Sequence, residues 1–149
     1  MSAEEQPISI QENVEQVWAR IRENSPIYNF ALSSVKITSV SKGHVIATLR
    51  VEPNHLNSKN TLHGTVTTCI IDWMGSMVIA SHGLQKTGVS TDIHASFVGF
   101  AAEGEELIIE GRSEKIGRSL AFVSVLIQKV KEGGEKQVVS KGSHTKYIN

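Results

Sequence analysis

Apolar residues first recur at helical spacing. Residues 11–22 (QENVEQVWARIR) place Val14, Val17, Trp18 and Ile21 on one face, which predicts an amphipathic helix on the outside of a domain. Ser25-Pro26 ends it, and 27–32 reads as a short link. Residues 35–40 and 44–51 read as two strands around the turn Ser41-Lys42-Gly43. The second, HVIATLRV, alternates in its later part as a half-buried antiparallel strand does. A polar loop at 53–62 carries Asn54, His55, Asn57, Ser58, Lys59 and Asn60. The pattern then becomes apolar nearly all round over 64–81, with Val66, Ile70, Trp73, Met74, Met77, Val78 and Ile79. Such a segment is a buried central helix. Two buried strands are the alternative, and the length and lack of internal turn signals speak against them. His82-Gly83 supplies the stop.

Four strand-like stretches follow, at 88–100, 106–115, 119–130 and 136–148, separated by Gly104, Gly117-Arg118 and Gly133-Gly134. Short turns between consecutive strands predict an antiparallel meander. A lone apolar helix needs a surface to bury against, so the elements predict an α+β fold in which one curved antiparallel sheet wraps a long helix. Residues 1–34 are the N-terminal helix and its lead-in, and 35–149 the main body of what is a single domain overall.

Composition narrows the chemistry. The 149 residues are 40% hydrophobic and 20% charged, as a globular chain is. Lys+Arg and Asp+Glu are both 15, giving a net charge of zero and no basic field for nucleic acid. No apolar run is long enough to span a membrane. The start, with Glu4 and Glu5, reads as neither a secretory signal nor an Arg-rich transit peptide, and the end is not a peroxisomal tripeptide, so the expectation is an intracellular, by default cytoplasmic, protein. The single Cys69 excludes an internal disulfide and a cysteine zinc site, and it reads as a small buried hydrophobe. The six histidines lack zinc-ligand spacing, so a zinc site is not expected, and neither a phosphate loop nor the GxSxG elbow of a serine hydrolase occurs.

Two places hold candidate chemistry. The start of the long helix, His63-Gly64-Thr65, offers free N–H groups and a positive dipole end to a developing oxyanion, with a glycine that lets substrate approach the backbone. A plainly capped helix is the alternative. Asp72 stands among Cys69, Ile70, Ile71, Trp73 and Met74, where an unpaired carboxylate is costly, so it meets a partner or faces a cleft. At 1.5 Å per residue, Gly64 and Asp72 are roughly 12 Å apart along the axis, too far to serve one small group within a chain. The turn Lys115-Ile116-Gly117-Arg118-Ser119 is either a phosphate contact or a solvated hairpin end.

Taken together, Asn57…Thr61-Leu62-His63-Gly64…Asp72, Gly88-Val89-Ser90…Asp92, Gly117-Arg118-Ser119-Leu120-Ala121-Phe122 and His144-Thr145-Lys146 resemble the hotdog-fold acyl-CoA thioesterases, most of all the thioesterase superfamily member 2 branch of the PaaI-like group. The likeness runs from about Val35 to the end. It implies a hotdog fold, dimers joined sheet edge to sheet edge and paired into tetramers, active sites between subunits, and no cofactor beyond the CoA of the substrate. By position it implies that Asn57 and the Gly64 N–H polarise the thioester carbonyl, that Asp72 activates water, and that Ser90 holds it. It further implies that His63 supports the loop and the position of Asn57. Lys115, Gly117, Arg118, Ser119 and Leu120 would contact CoA, with Phe97 and Tyr147 near CoA or the acyl channel. Mitochondrial residence is also compatible with the resemblance. Thr65, Trp73 and Phe100 depart from the pattern, and Trp73 is expected to reshape the acyl pocket. An acyl-enzyme route through Asp72 stands beside direct attack by water. The rival functions are a non-catalytic hotdog protein that binds acyl-CoA or a partner, and a hotdog dehydratase, whose usual motif is missing.

Overall fold

Ser9 opens the first helix in the computed structural model, which describes residues 6–149; the acidic start at Glu4 and Glu5 lies outside the described residues. Its hydroxyl accepts from the Glu12 N–H while the Glu12 carboxylate accepts from the Ser9 N–H, a reciprocal cap for α1 (Ile10–Asn24). Ser25 and Pro26 end that helix and begin another, α2 (Pro26–Ala31), where a short link is expected. The reason is local: proline fits the first helical position, and the Ser25 hydroxyl accepts from the Tyr28 N–H.

The sheet has six antiparallel strands: β1 (Lys36–Ser41), β2 (His44–Arg50), β3 (Val89–Phe97), β4 (Glu106–Ile116), β5 (Leu120–Val130) and β6 (Lys136–Tyr147). Between β2 and β3 runs α3 (Gly64–Ala80), the predicted central helix. Ile70, Ile71, Trp73, Met74, Met77, Val78 and Ile79 are all fully buried, each contributing about 1.5–3 kcal/mol by leaving water. The inward residues of β2, β4 and β5 (Ala47, Leu49, Leu107, Ile109, Val125, Ile127) form the wall they bury against. Val14, Val17 and Trp18 of α1 join the same core, so the N-terminal helix and the sheet share one interior. This is the expected hotdog: one curved sheet around one helix.

The predicted meander needs correction. The strand order is β1-β2-β4-β5-β6-β3, so only β4, β5 and β6 form a meander. β3 pairs with β6 at the far edge, and β4 pairs with β2. Alternation identifies strands but not neighbours; the link after β3 decides the order. Val98 and Gly99 bond to Val139, Ala101 accepts from the Leu62 N–H, and Gly104 and Glu105 bond to Val51. The link thus crosses the whole sheet beneath the start of α3 and pins that start in place.

Candidate active site

His63 caps α3. Its Nδ1 accepts from the Thr65 N–H at 3.0 Å, and its carbonyl accepts from Val66 and Thr67. The Gly64 N–H finds no acceptor among the described residues, so it points out as a free donor at a positive helix end. A methyl built on Gly64 would meet the Phe97 ring at 3.2 Å, so Phe97 lies over this backbone. Asn57 stands beside them in the same 230 Å³ concavity. Its Oδ1 accepts from the Lys59 and Thr61 N–H groups at 2.9 and 3.1 Å, and its Nδ2 donates to the Thr61 hydroxyl at 2.9 Å. The oxygen shapes the loop, and one amide hydrogen is left for a ligand. His63 bonds to Thr65 and, through its N–H, to His55. Its side chain makes no hydrogen bond to Asn57 among the described residues.

Asp72 opens on a different concavity, of 380 Å³, lined by Ser25, Ile27, Tyr28, Thr65, Thr68 and Cys69. Thr65, Thr68, Cys69 and Asp72 follow the 0, 3, 4, 7 spacing of one helix face, while Gly64 and Thr67 belong to the other concavity. Within one chain the Gly64 N–H and Asn57 are therefore apart from the Asp72 carboxylate, as the axial spacing predicts. Asp72 is one-third exposed. The Tyr28 hydroxyl donates to Oδ2, and the Ser90 Oγ lies 3.4 Å from Oδ1. Trp73, expected to reshape the pocket, is fully buried and packs edge-on against Trp18 at 5.3 Å, away from the cleft. One residue along a helix is about 100° of turn, so Asp72 and Trp73 point different ways.

Ser90 reaches Asp72 because of a bulge. The register of β3 on β6 shifts between Ser90 and Asp92, leaving Thr91 as the extra residue. Strict alternation would put Ser90 on the outer face with Asp92 and His94; the bulge turns it inward, to the face of Ile93. There its Oγ lies 2.7 Å from the Nε2 of His144.

His144 is fully buried, and its Nδ1 has no partner among the described residues. Burial holds the ring below the usual imidazole range, and the nearby Lys146 ammonium adds to this against the pull of Asp72. At 3.7 Å from Asp72 it is thus a neutral neighbour, not an ion pair. An unpartnered buried N–H is worse than an unpartnered lone pair, which puts the proton on Nε2. The chain of donors then runs from His144 Nε2 to the Ser90 hydroxyl to Asp72 Oδ1. Lys146 is buried as well, donating to the Ser76 hydroxyl at 2.7 Å, and burial lowers its affinity for a proton. Cys69 is half-buried rather than buried; burial first, then Asp72, pushes its thiol up to about 11, so it stays protonated and is no nucleophile.

Two tests follow from this inner wall. A methyl on Gly75 would sit 2.2 Å from His144 Nδ1. Gly75→Ala, which in an open helix would stabilise, is expected to destabilise by about 1–3 kcal/mol in urea unfolding. The second concerns pH. The fold keeps His144 neutral while the unfolded chain protonates it near the ordinary 6.5, so this stability is whole above that value and is lost as pH falls below it, through the folded-state value. His82, also depressed by burial and by Lys42, acts with the same sign. Urea midpoints should therefore drop between about pH 7.5 and about pH 5.5, and His144→Gln should flatten part of that slope. An unchanged slope in the variant would remove His144 as its source.

The remaining predicted residues fall in two places. Lys115, Gly117, Arg118, Ser119 and Leu120 form the β4–β5 hairpin, closed by the Gly117 N–H on the Leu120 carbonyl at 2.8 Å. Lys115 and Arg118 are exposed and form no ion pair with any described residue. Tyr147 pairs with both Leu120 and Val89, so this hairpin sits at the Ser90 end of β3. Phe97 lies at the other end, over Gly64. Among the described residues no group of three or more His, Cys, Asp or Glu side chains could hold a metal, and no helix is long and apolar enough to cross a membrane.

The Thioesterase superfamily profile matches residues 59–136. Acyl-coenzyme A thioesterase 13 of Homo sapiens is 31% identical over 117 residues, covering 78% of this chain and 81% of its own length. The crystal structure of zebrafish thioesterase superfamily member 2 is similar with a TM-score of 0.82 at 30% identity, over 95% of this chain and 99% of that one. A Streptococcus mutans protein solved with acetyl CoA bound is similar at a TM-score of 0.71 and 27% identity, over 78% of this chain and 89% of that one.

Proposed function

The chain belongs to the thioesterase superfamily, and from that premise we propose that it hydrolyses acyl-CoA thioesters to CoA and a free acid at sites shared between two subunits. Water attacks the carbonyl carbon, and Asp72 takes its proton as general base. Ser90 orients the water against Oδ1. The Gly64 N–H and the free Asn57 amide hydrogen stabilise the oxyanion of the tetrahedral intermediate. Collapse of that intermediate breaks the C–S bond, and the CoA thiolate leaves and takes up a proton. Lys115 and Arg118 serve the CoA phosphates, the guanidinium by paired hydrogen bonds. Gly117 and Ser119 hold that hairpin in shape, Leu120 and Tyr147 line the pantetheine path, and Phe97 guards the oxyanion donors.

One observation carries this reading: the two halves of the site lie at opposite ends of an edge strand with one side open. Ser90, beside Asp72, is at the start of β3, and Phe97, over Gly64, is at its end. Val89 and Phe97 are both more than half exposed. Antiparallel pairing of β3 with β3 of a second copy, about a two-fold axis near Ile93, sets the start of one against the end of the other. The carboxylate of one subunit then faces the oxyanion donors of its partner, twice per dimer, and removes the open edge. Two such dimers pair in this reading, as the resemblance implies.

Free-thiol release from a panel of acyl-CoAs of increasing chain length tests the activity. Turnover is expected on at least one chain-length class. Tight acyl-CoA binding without turnover on any would instead favour a binding protein.

A further inference from the structure

We propose that Tyr28 is a positioning residue for the reaction, fixing which oxygen of Asp72 serves as base. The proposal rests on Asp72 being that base. A carboxylate turns easily about its last bond, so without an anchor either oxygen can face Ser90 and the water. An ionised carboxylate only accepts hydrogen bonds, so the Tyr28 hydroxyl, bonded to Oδ2, must be the donor. That assigns Oδ2 to Tyr28 and leaves Oδ1 beside Ser90.

The phenol is itself held. Its ring packs against Trp18 at 5.9 Å, Trp18 packs edge-on against Trp73 at 5.3 Å, and Trp73 is the residue after Asp72. Asp72, Tyr28, Trp18 and Trp73 thus close a loop through α2, α1 and α3. Burial first, then the bond to Asp72 and its charge, pushes the phenol's ionisation above the ordinary tyrosine value, so it remains a donor throughout any assay range. The N-terminal helices therefore reach the chemistry through one hydroxyl, beside the exposed Ile27 at the mouth of the same cleft.

The test is a double-mutant cycle on kcat with Tyr28→Phe, Asp72→Asn and the double variant, read by thiol release at high enzyme concentration. Tyr28→Phe keeps the ring and its packing, and its melting temperature is measured alongside. It is expected to lose roughly 10- to 100-fold in kcat, with KM changed by less than about threefold, because an aligned group is misplaced while binding surface is kept. In the Asp72→Asn background it is expected to cost nothing further. The same fold-loss in both backgrounds would make Tyr28 merely structural and overturn the proposal, as would wild-type kcat in Tyr28→Phe with Asp72→Asn inactive. Wild-type kcat in Asp72→Asn would overturn the base assignment and this proposal with it.

Discussion

Asp72→Asn is expected to lower kcat by roughly 10²- to 10⁴-fold, the range spanned by positioned general bases. The substitution is close to isosteric. Its carbonyl oxygen still accepts from the Tyr28 hydroxyl, and its amide still reaches the Ser90 oxygen, so neither the cleft nor the end of β3 has cause to move. The amide has no affinity for the proton of the attacking water, and Cys69, held protonated in the same cleft, cannot replace it. KM should change little, because a general base acts in the transition state rather than in holding CoA. Thiol release under saturating acyl-CoA reads this directly. A kcat within a few-fold of wild type would remove Asp72 from the reaction.

Asn57→Asp is the second large effect. Alanine would confuse two jobs, because the Asn57 oxygen shapes the loop through the Lys59 and Thr61 N–H groups. Aspartate keeps that acceptor and deletes only the donor, while adding negative charge where the oxyanion develops. Loss of one such donor costs roughly 10²- to 10³-fold in kcat, and the added charge acts in the same direction. Urea unfolding should stay close to wild type, because the Lys59 and Thr61 N–H groups keep their acceptor and the Thr61 hydroxyl can donate to the new carboxylate oxygen where it accepted from the amide. A large fall in stability with modest loss of kcat would show that Asn57 is a loop residue only.

Legibility in the sequence followed the length of each signal. The central helix declares itself over five turns of apolar residues, and the strands through alternation. The place of β3 is hidden, because nothing in its own residues marks β6 as its neighbour; that is decided by a link crossing under α3. α2 escapes because six residues span less than two turns, and with it escapes Tyr28, although Ser25-Pro26 is as good a helix start as a helix end. The Ser90 contact with Asp72 depends on the bulge at Thr91, which alternation cannot reveal. His144 and Lys146 have a readable signal: alternate polar positions on β6, facing the small Gly75 and Ser76 in the apolar second half of α3. The helix start at His63-Gly64 is legible because it is a local feature. The role of the hairpin at Lys115–Leu120 rested on resemblance, since a basic turn in water looks the same with or without a ligand.

We propose that each active site takes its base from one subunit and its oxyanion donors from another. Mixing the two nearly inactive variants tests it most directly. Asp72→Asn and Asn57→Asp proteins are unfolded together, refolded at equal amounts, and assayed against each parent treated alone. If the site is shared, half of the dimers are mixed and each of these has one intact site, so activity rises to about a quarter of wild type. Activity that stays at the average of the two parents, in a preparation shown to contain mixed dimers, would place the whole site within one chain and rule out a shared site.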